Sequence, residues 1–267
     1  MRIHLMTDLE GVAGIVNHYD YCRPESRYYE QARALLTAEV NAAVDGFFAG
    51  GATDVVVFDG HGPGAVNCEL LDERAKFSRG HYSPIWPWGL DDGFDAFAII
   101  GQHAKSGTPY SHLTHTGAFS VYDLSVNGLS IGEYGTLVLC AKELGIPAIF
   151  AAGEKAFAEE AEALTPGVVT VAVKRGLQPD DGHAHATPEE YSKAKLSAEH
   201  LTPAAARKKI RAGAKLAVER LISNPKQFNH PDLKAPWHII RRFRPLNVGL
   251  IQHAKDDKSF IAALNKL

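Results

Sequence analysis

Short apolar runs alternate with helix-patterned stretches along most of this chain, and the first three runs each break off into a loop carrying glycine and a metal-ligand residue type. Arg2–Thr7 is mostly apolar and too short for a helix, and it opens into Asp8-Leu9-Glu10-Gly11-Val12-Ala13-Gly14. Val55-Val56-Val57-Phe58, rich in β-branched residues, runs into Asp59-Gly60-His61-Gly62-Pro63-Gly64. Ala96-Phe97-Ala98-Ile99-Ile100 leads to Gly101-Gln102-His103. Between the first two runs a helix is expected over 26–49, with Ser26 as N-cap and Leu36, Val40, Ala43, Val44 and Phe47 on one apolar face. Gly50-Gly51 stops it. Strands separated by helices build βαβ units, so the expected fold class is α/β, a mainly parallel sheet with helices on both faces.

The pattern continues further on. A hairpin is expected from Phe119–Val126 and Leu129–Ile131, turned by Asn127-Gly128, whose residues accept positive φ. A helix over 132–144, a buried strand over 147–151, a helix over 154–164 and a strand over 168–173 follow. From Gln178 the texture changes to Pro179, Asp180, Asp181, Gly182 and Pro188, an exposed loop. His183-Ala184-His185 sits in that loop and reads as surface histidines rather than a metal pair. A helix over 203–222 begins with Pro203, a strand is expected at Trp237–Phe243, a short run at Val248–Ile251, and a last helix from Asp256. The division expected is an α/β metal-site domain over 1–176 and a smaller α+β C-terminal region over 177–267, packed on the first.

In an open α/β sheet the ligand crevice lies beyond the carboxyl ends of the strands. Asp8 and Glu10, His61 and His103 follow three strand ends, so a parallel sheet brings all four to one place. Taken singly each has an ordinary reading: Asp8 as a cap, Glu10 as an exposed loop residue, Asp59-Gly60-His61 as a plain turn, His103 as an isolated histidine. Together they form a carboxylate–imidazole set of the kind that holds zinc, manganese or cobalt. A carboxylate shared by two ions makes a two-metal hydrolase site. Glu133, at the start of the helix after the hairpin, is a further candidate ligand. The polar loop Thr108-Pro109-Tyr110-Ser111-His112-Leu113-Thr114-His115 offers a histidine for proton transfer or oxyanion stabilisation, or is simply a solvated surface loop.

Other classes are disfavoured. The 28 Lys and Arg residues against 31 Asp and Glu leave a net charge of −3 and no basic excess for nucleic acid. No GxxxxGK[ST], GxSxG or HExxH motif occurs, and Gly11-Val12-Ala13-Gly14 does not fit a dinucleotide loop. No apolar run is long enough for a membrane span, and the first apolar run is broken by His4 and stopped by Asp8, unlike a signal peptide. Cys22, Cys68 and Cys140, odd in number and widely spaced, read as reduced thiols of a cytoplasmic protein.

At these residues the chain resembles the D-aminopeptidase family of binuclear zinc peptidases of the dipeptide-operon type. The matching stretches are Met6–Gly14, Phe58-Asp59-Gly60-His61, Gly101-Gln102-His103-Ala104-Lys105, Thr108-Pro109, Ser111, His115, Asn127 through Gly132-Glu133-Tyr134-Gly135, Pro147 through Ala152-Gly153, and Ala172-Val173-Lys174. The resemblance covers residues 1–176 well and the remainder loosely. It implies two zinc ions bridged by Asp8, with Glu10 and His103 completing one set of ligands and His61 and Glu133 the other. It implies His115 as the catalytic histidine. It further implies hydrolysis of the N-terminal residue of short peptides or amino acid amides with a preference for D-amino acids, by a homo-oligomer of two stacked pentamer rings. Alternatives kept open are a binuclear hydrolase of another amide or a phosphoester, and a non-catalytic small-molecule binding protein. The chain departs from the family pattern in places. The His103–His115 interval is one residue longer, which sets His112 against His115, although the His115–Glu133 interval favours His115. Gly153-Glu154-Lys155 stands where Gly-Asp-Asp is expected, residues 178–200 look inserted, and the tail between Phe243 and Val248 looks shortened.

Overall fold

A computed structural model of the chain describes residues 1–179, 187–244 and 250–267. The strands β1 (Arg2–Thr7), β2 (Asp54–Asp59), β3 (Lys76–Ser78), β4 (Ala96–Gln102), β7 (Ala148–Glu154), β8 (Val169–Gly176) and β9 (Ala198–His200) form one sheet. Its order is β3-β2-β1-β4-β7-β8-β9, parallel throughout except that β9 runs against β8. Every residue of β4 and β7 is buried, the continuous apolar run that a strand covered on both faces requires. Strand β1 lies between β2 and β4, so the chain reverses its direction of sheet growth there, and the crevice opens at the carboxyl ends of these strands.

Side-chain alternation sorts the sheet into two cores. Ile3, Leu5, Val55, Val57, Ala98 and Ile100 face α2 (Tyr29–Gly50) and α6 (Pro203–Ser223) through Leu36, Val40, Phe47, Ile210, Ala214 and Val218. Met6, Val56, Phe58, Phe97 and Ile99 face α3 (Glu133–Glu143) and α4 (Lys155–Leu164) through Leu137, Val138 and Phe157. A second sheet, antiparallel and ordered β11-β10-β5-β6, joins β5 (Val121–Val126) and β6 (Leu129–Ser130) to β10 (Trp237–Phe243) and β11 (Ile251–Asp256). The β5–β6 turn has Asn127 at φ 51° and Gly128 at φ 87°, as an Asn-Gly hairpin requires. Thus α6 and β9 of the C-terminal third pack on the large sheet, while β10 pairs with β5 and α7 (Phe260–Leu264) closes the small sheet's core.

Two local expectations differ from the structure. Helix α2 starts at Tyr29, because the Ser26 hydroxyl donates to the Tyr19 carbonyl (2.6 Å) and accepts from the Arg23 N–H (3.1 Å), closing a preceding turn instead of capping the helix. The final run is a strand to Asp256, and α7 starts at Phe260 with Ser259 as its cap. As an edge strand β11 buries only Ala254, so its sequence carries little apolar signal. Within 178–200 the structure places α5 (Pro188–Lys193), started by a Thr187–Glu190 capping box, and β9. His183 and His185 lie outside the described residues.

Candidate metal centre

The loop after β1 is pinned to the end of β4 by two backbone bonds, Asp8 N–H to Ile100 O (2.8 Å) and Gly11 N–H to Gly101 O (2.7 Å). The approach requires glycine on both sides. A Cβ at Gly101, whose φ is +73°, falls 2.0 Å from the Asp8 carbonyl oxygen, and one at Gly11 falls 2.0 Å from that of Gln102. Asp8, Glu10 and His103 are thereby set side by side, with one donor atom from each lying within 4.8 Å of the other two. His103 Nε2 is 3.3 Å from Asp8 Oδ2 and 3.6 Å from Glu133 Oε1.

Each ligand-type side chain is oriented from behind. His103 Nδ1–H donates to the Ala104 carbonyl (2.9 Å), which leaves the Nε2 lone pair facing the carboxylates. Glu133 opens α3, where the helix dipole favours its charge. Its oxygens accept from the Gly117 N–H (2.7 Å) and the Gln102 amide (3.0 Å). His61 is held by a loop folded around Asp59, whose carboxylate accepts from the Ala65 N–H at 2.9 and 3.0 Å. His61 Nε2 stands 3.4 Å from Glu10 Oε1. His115 stacks on His103 with centroids 4.0 Å apart, donates Nδ1–H to the Leu113 carbonyl (2.9 Å), and brings Nε2 to 4.0 Å from Glu133 Oε1. His112 points elsewhere. It is fully buried against the Val16 carbonyl (3.0 Å) and His200, and burial pushes its pKa down to about 2.

The electrostatics are those of carboxylates and imidazoles crowded together out of water. Burial, then Glu10 and Glu133, drives the Asp8 carboxyl well above its usual range. Burial also pushes Glu10 up, but His61 and His18 outweigh it and hold it well below the usual value. Glu133 is likewise held low by His103 and His115 against its burial, and burial followed by the nearby His115 lowers His103. Asp8 Oδ2, Glu10 Oε2, His61 Nδ1 and His103 Nε2 are buried without a hydrogen-bond partner. Asp8, Glu10 and His103 form one donor cluster, and its unmatched buried atoms fit an ion coordinated there.

The structure therefore brings Asp8, Glu10 and His103 together, sets Glu133 and His115 beside His103, and places His61 against Glu10. Among the described residues no donor cluster joins His61 with Glu133. Several neighbours were not singled out from sequence. Cys22, from the turn after α1 (His18–Tyr21), clusters with Glu10 and His61. His18 Nδ1 lies 3.2 Å from Glu10 Oε1. The buried Lys174 ammonium, its pKa lowered to about 8 by burial, donates to the carbonyls of Glu10 and Ile15. None follows a strand end, so no periodicity points to them. Asp8, Glu10, His61, His115 and Glu133, with His18 and Cys22, line one part of a cavity of about 690 Å³, whose other walls include Trp86, Trp88, Leu124, Leu137 and Arg241.

The D-aminopeptidase family model matches residues 1–244. A D-aminopeptidase of Bacillus subtilis (strain 168) is 32% identical over 179 residues, a stretch that spans 66% of this chain and 65% of that protein. The solved Zn-dependent D-aminopeptidase DppA of Bacillus subtilis, a self-compartmentalizing protease, superposes with a TM-score of 0.80 at 23% identity, covering 100% of this chain and 95% of its own. That likeness carries the fold, and the match over residues 1–244 carries the kinship: the chain belongs to the D-aminopeptidase family.

Proposed function

We propose that this chain is a binuclear metallo-aminopeptidase that removes the N-terminal residue of short peptides or amino acid amides, with a preference for D-amino acids. One observation carries the reading: acids and histidines from loops far apart in sequence converge, with buried donor atoms of Asp8, Glu10 and His103 unpartnered, beside a cavity of about 690 Å³. Asp8, Glu10, His61, His103 and Glu133 would hold two zinc ions, with Asp8 shared between them. Such a pair supplies Lewis acidity for the scissile carbonyl and a water of lowered pKa. The protein's own groups do the rest. Gln102 and the Gly117 N–H fix Glu133, and the Ala104 carbonyl fixes the His103 tautomer. His115, anchored through Nδ1, presents Nε2 to the cavity, where it takes the proton released by the attacking water, donates it as a hydrogen bond to the developing oxyanion and then hands it to the leaving amine.

The assembly proposed is a homo-oligomer of two stacked pentamers. Light scattering tests it by looking for about ten times the 29.0 kDa subunit mass. No described helix is long and apolar enough to cross a membrane. A cytoplasmic location is proposed on the three free thiols.

The test of activity is metal content together with a panel of D- and L-dipeptides, amino acid amides and phosphoesters. About two equivalents of zinc and cleavage of D-Ala-D-Ala ahead of L-Ala-L-Ala, lost on chelation, are expected. Phosphoester turnover without peptide turnover would favour the other hydrolase, and absence of bound metal after supplementation would favour a binding protein.

A further inference from the structure

The small sheet carries two adjacent arginines with opposite circumstances. Arg242 pairs with Asp123, Nη1 to Oδ2 at 2.7 Å. Among the described residues Arg241 has no acidic partner, and its only side-chain bond to any of them is Nη1–H to Gln252 Oε1 at 3.2 Å. Alternation along β10 puts Arg241 on the face of Ile239, which is fully buried, and the register sets it opposite Leu124 of β5 and Gln252 of β11. On that face the apolar core of the small sheet gives way to the cavity shared with the metal ligands, and Arg241 lines its wall. Desolvation there works against its charge. A half-buried guanidinium without an acidic partner among the described residues, in a cavity whose lining includes Trp86, Trp88, Leu124, Leu137 and Leu264, is a fork of donors waiting for an anion.

We propose that Arg241 binds the free C-terminal carboxylate of a short peptide whose N-terminal residue lies at the metal ligands. This rests on the aminopeptidase reading and refines its substrate class. The enzyme selects small peptide acids with an apolar residue after the scissile bond, and it measures substrate length between the acid–histidine cluster and one arginine. Cavities of this size enclose a small ligand and orient it with a few polar groups, which suits a dipeptide or tripeptide. Arg23 also lines the cavity, but it is exposed, so water screens it and a contact there contributes less.

The experiment uses the zinc-loaded enzyme and one matched pair, D-Ala-D-Leu and its C-terminal amide. Wild type is expected to prefer the acid. In Arg241→Gln, kcat/KM for the acid falls about 10–100-fold, chiefly through KM, the loss expected for a charge-assisted bond, while the amide changes less than about twofold. Arg241→Lys restores part of the acid preference, because it returns the charge without the fork. Arg23→Gln leaves the preference in place. Thermal melts of each variant check folding, and because every comparison is acid against amide in one protein preparation, a partly folded variant leaves the ratio readable. Absence of an acid preference in wild type, persistence of it in Arg241→Gln, or its loss in Arg23→Gln instead overturns the proposal. Failure of wild type to cleave either peptide strikes the aminopeptidase reading itself.

Discussion

Along β1 the side chains of Ile3 and Leu5 lie fully buried beneath α2 and α6, within the larger apolar core. Just past the strand's end Asp8 and Glu10 are almost as deeply buried, but among carboxylates and imidazoles with donor atoms left unmatched. The same contrast holds for β2 and β4, where Val57 and Ile100 lie in the apolar core and His61 and His103 stand in the polar crown. Large apolar burial stabilises the body, while the crown crowds carboxylates whose charges repel, a repulsion that the proposed cations would offset. On the proposed reading each region fails in its own way: the body by cavities, the crown by loss of its ions with the fold intact.

The largest expected effects test that division directly. Asp8→Asn removes the carboxylate proposed to be shared, and kcat/KM should fall about 10⁴-fold together with zinc content. The melting temperature of the metal-free variant should stay level or rise, since one of the crowded negative charges is gone. Phe150→Ala acts on the body. Phe150 is fully buried and meets Phe47 edge-on at 5.7 Å, so its truncation should cost about 3–5 kcal/mol of stability. Activity per folded molecule should persist. If Asp8→Asn unfolds the protein, or Phe150→Ala silences the folded fraction, body and crown are not separable.

Within the crown, His103 and His115 stack face to face, yet their proposed roles differ. His115→Ala should lower kcat about 10²–10³-fold at unchanged zinc content, the range expected for a lost acid or oxyanion donor. His103→Ala should lose zinc and activity together. Equal loss of zinc in both variants would place His115 among the ligands.

How much of each region can be read from the residues follows from the same contrast. The body is periodic. Runs such as Val55-Val56-Val57-Phe58 and the i, i+3, i+4 spacing of Leu36, Val40, Ala43, Val44 and Phe47 report a parallel sheet and a covering helix without reference to anything distant. Asp8, Glu10, His61 and His103 are legible because parallel strands send their carboxyl ends to one side. Glu133 and His115 are legible by likeness to a family more than by any period, since they stand on a helix start and an irregular loop. Cys22, His18 and Lys174 reach the cluster through contacts that no local pattern encodes. The same limit hid β11, whose edge position removes the apolar signal, and Arg241, which looks like one more charge in a basic strand until the register turns it inward.

Glu39 gives the smallest effect and lies on the border between the two regions. It sits within α2, nearly fully buried, and one carboxylate oxygen accepts from the Ala13 N–H (3.0 Å) while Oε2 has no partner. Burial raises its pKa from the usual 4.5 to about 7. The folded state therefore holds this proton more tightly than the unfolded chain. Between those two values the native protein binds more protons, so stability falls as pH rises and the full cost is present above about pH 7. At about 1.36 kcal/mol per unit the cost is bounded near 3 kcal/mol, and about 2 kcal/mol is expected once solvent relaxation is allowed for. Glu39→Gln keeps the acceptor for Ala13 and carries no charge. Its melting temperature should vary less than that of wild type between pH 5 and pH 7.5. At pH 8 it should exceed wild type by about 3–6 °C, with peptide cleavage retained. The two proteins should converge near pH 4, where both side chains are neutral. A variant less stable than wild type at pH 8 would show instead that the ionised carboxylate is stabilised by the Lys174 ammonium, and would move Glu39 from the apolar body into the charged network of the crown.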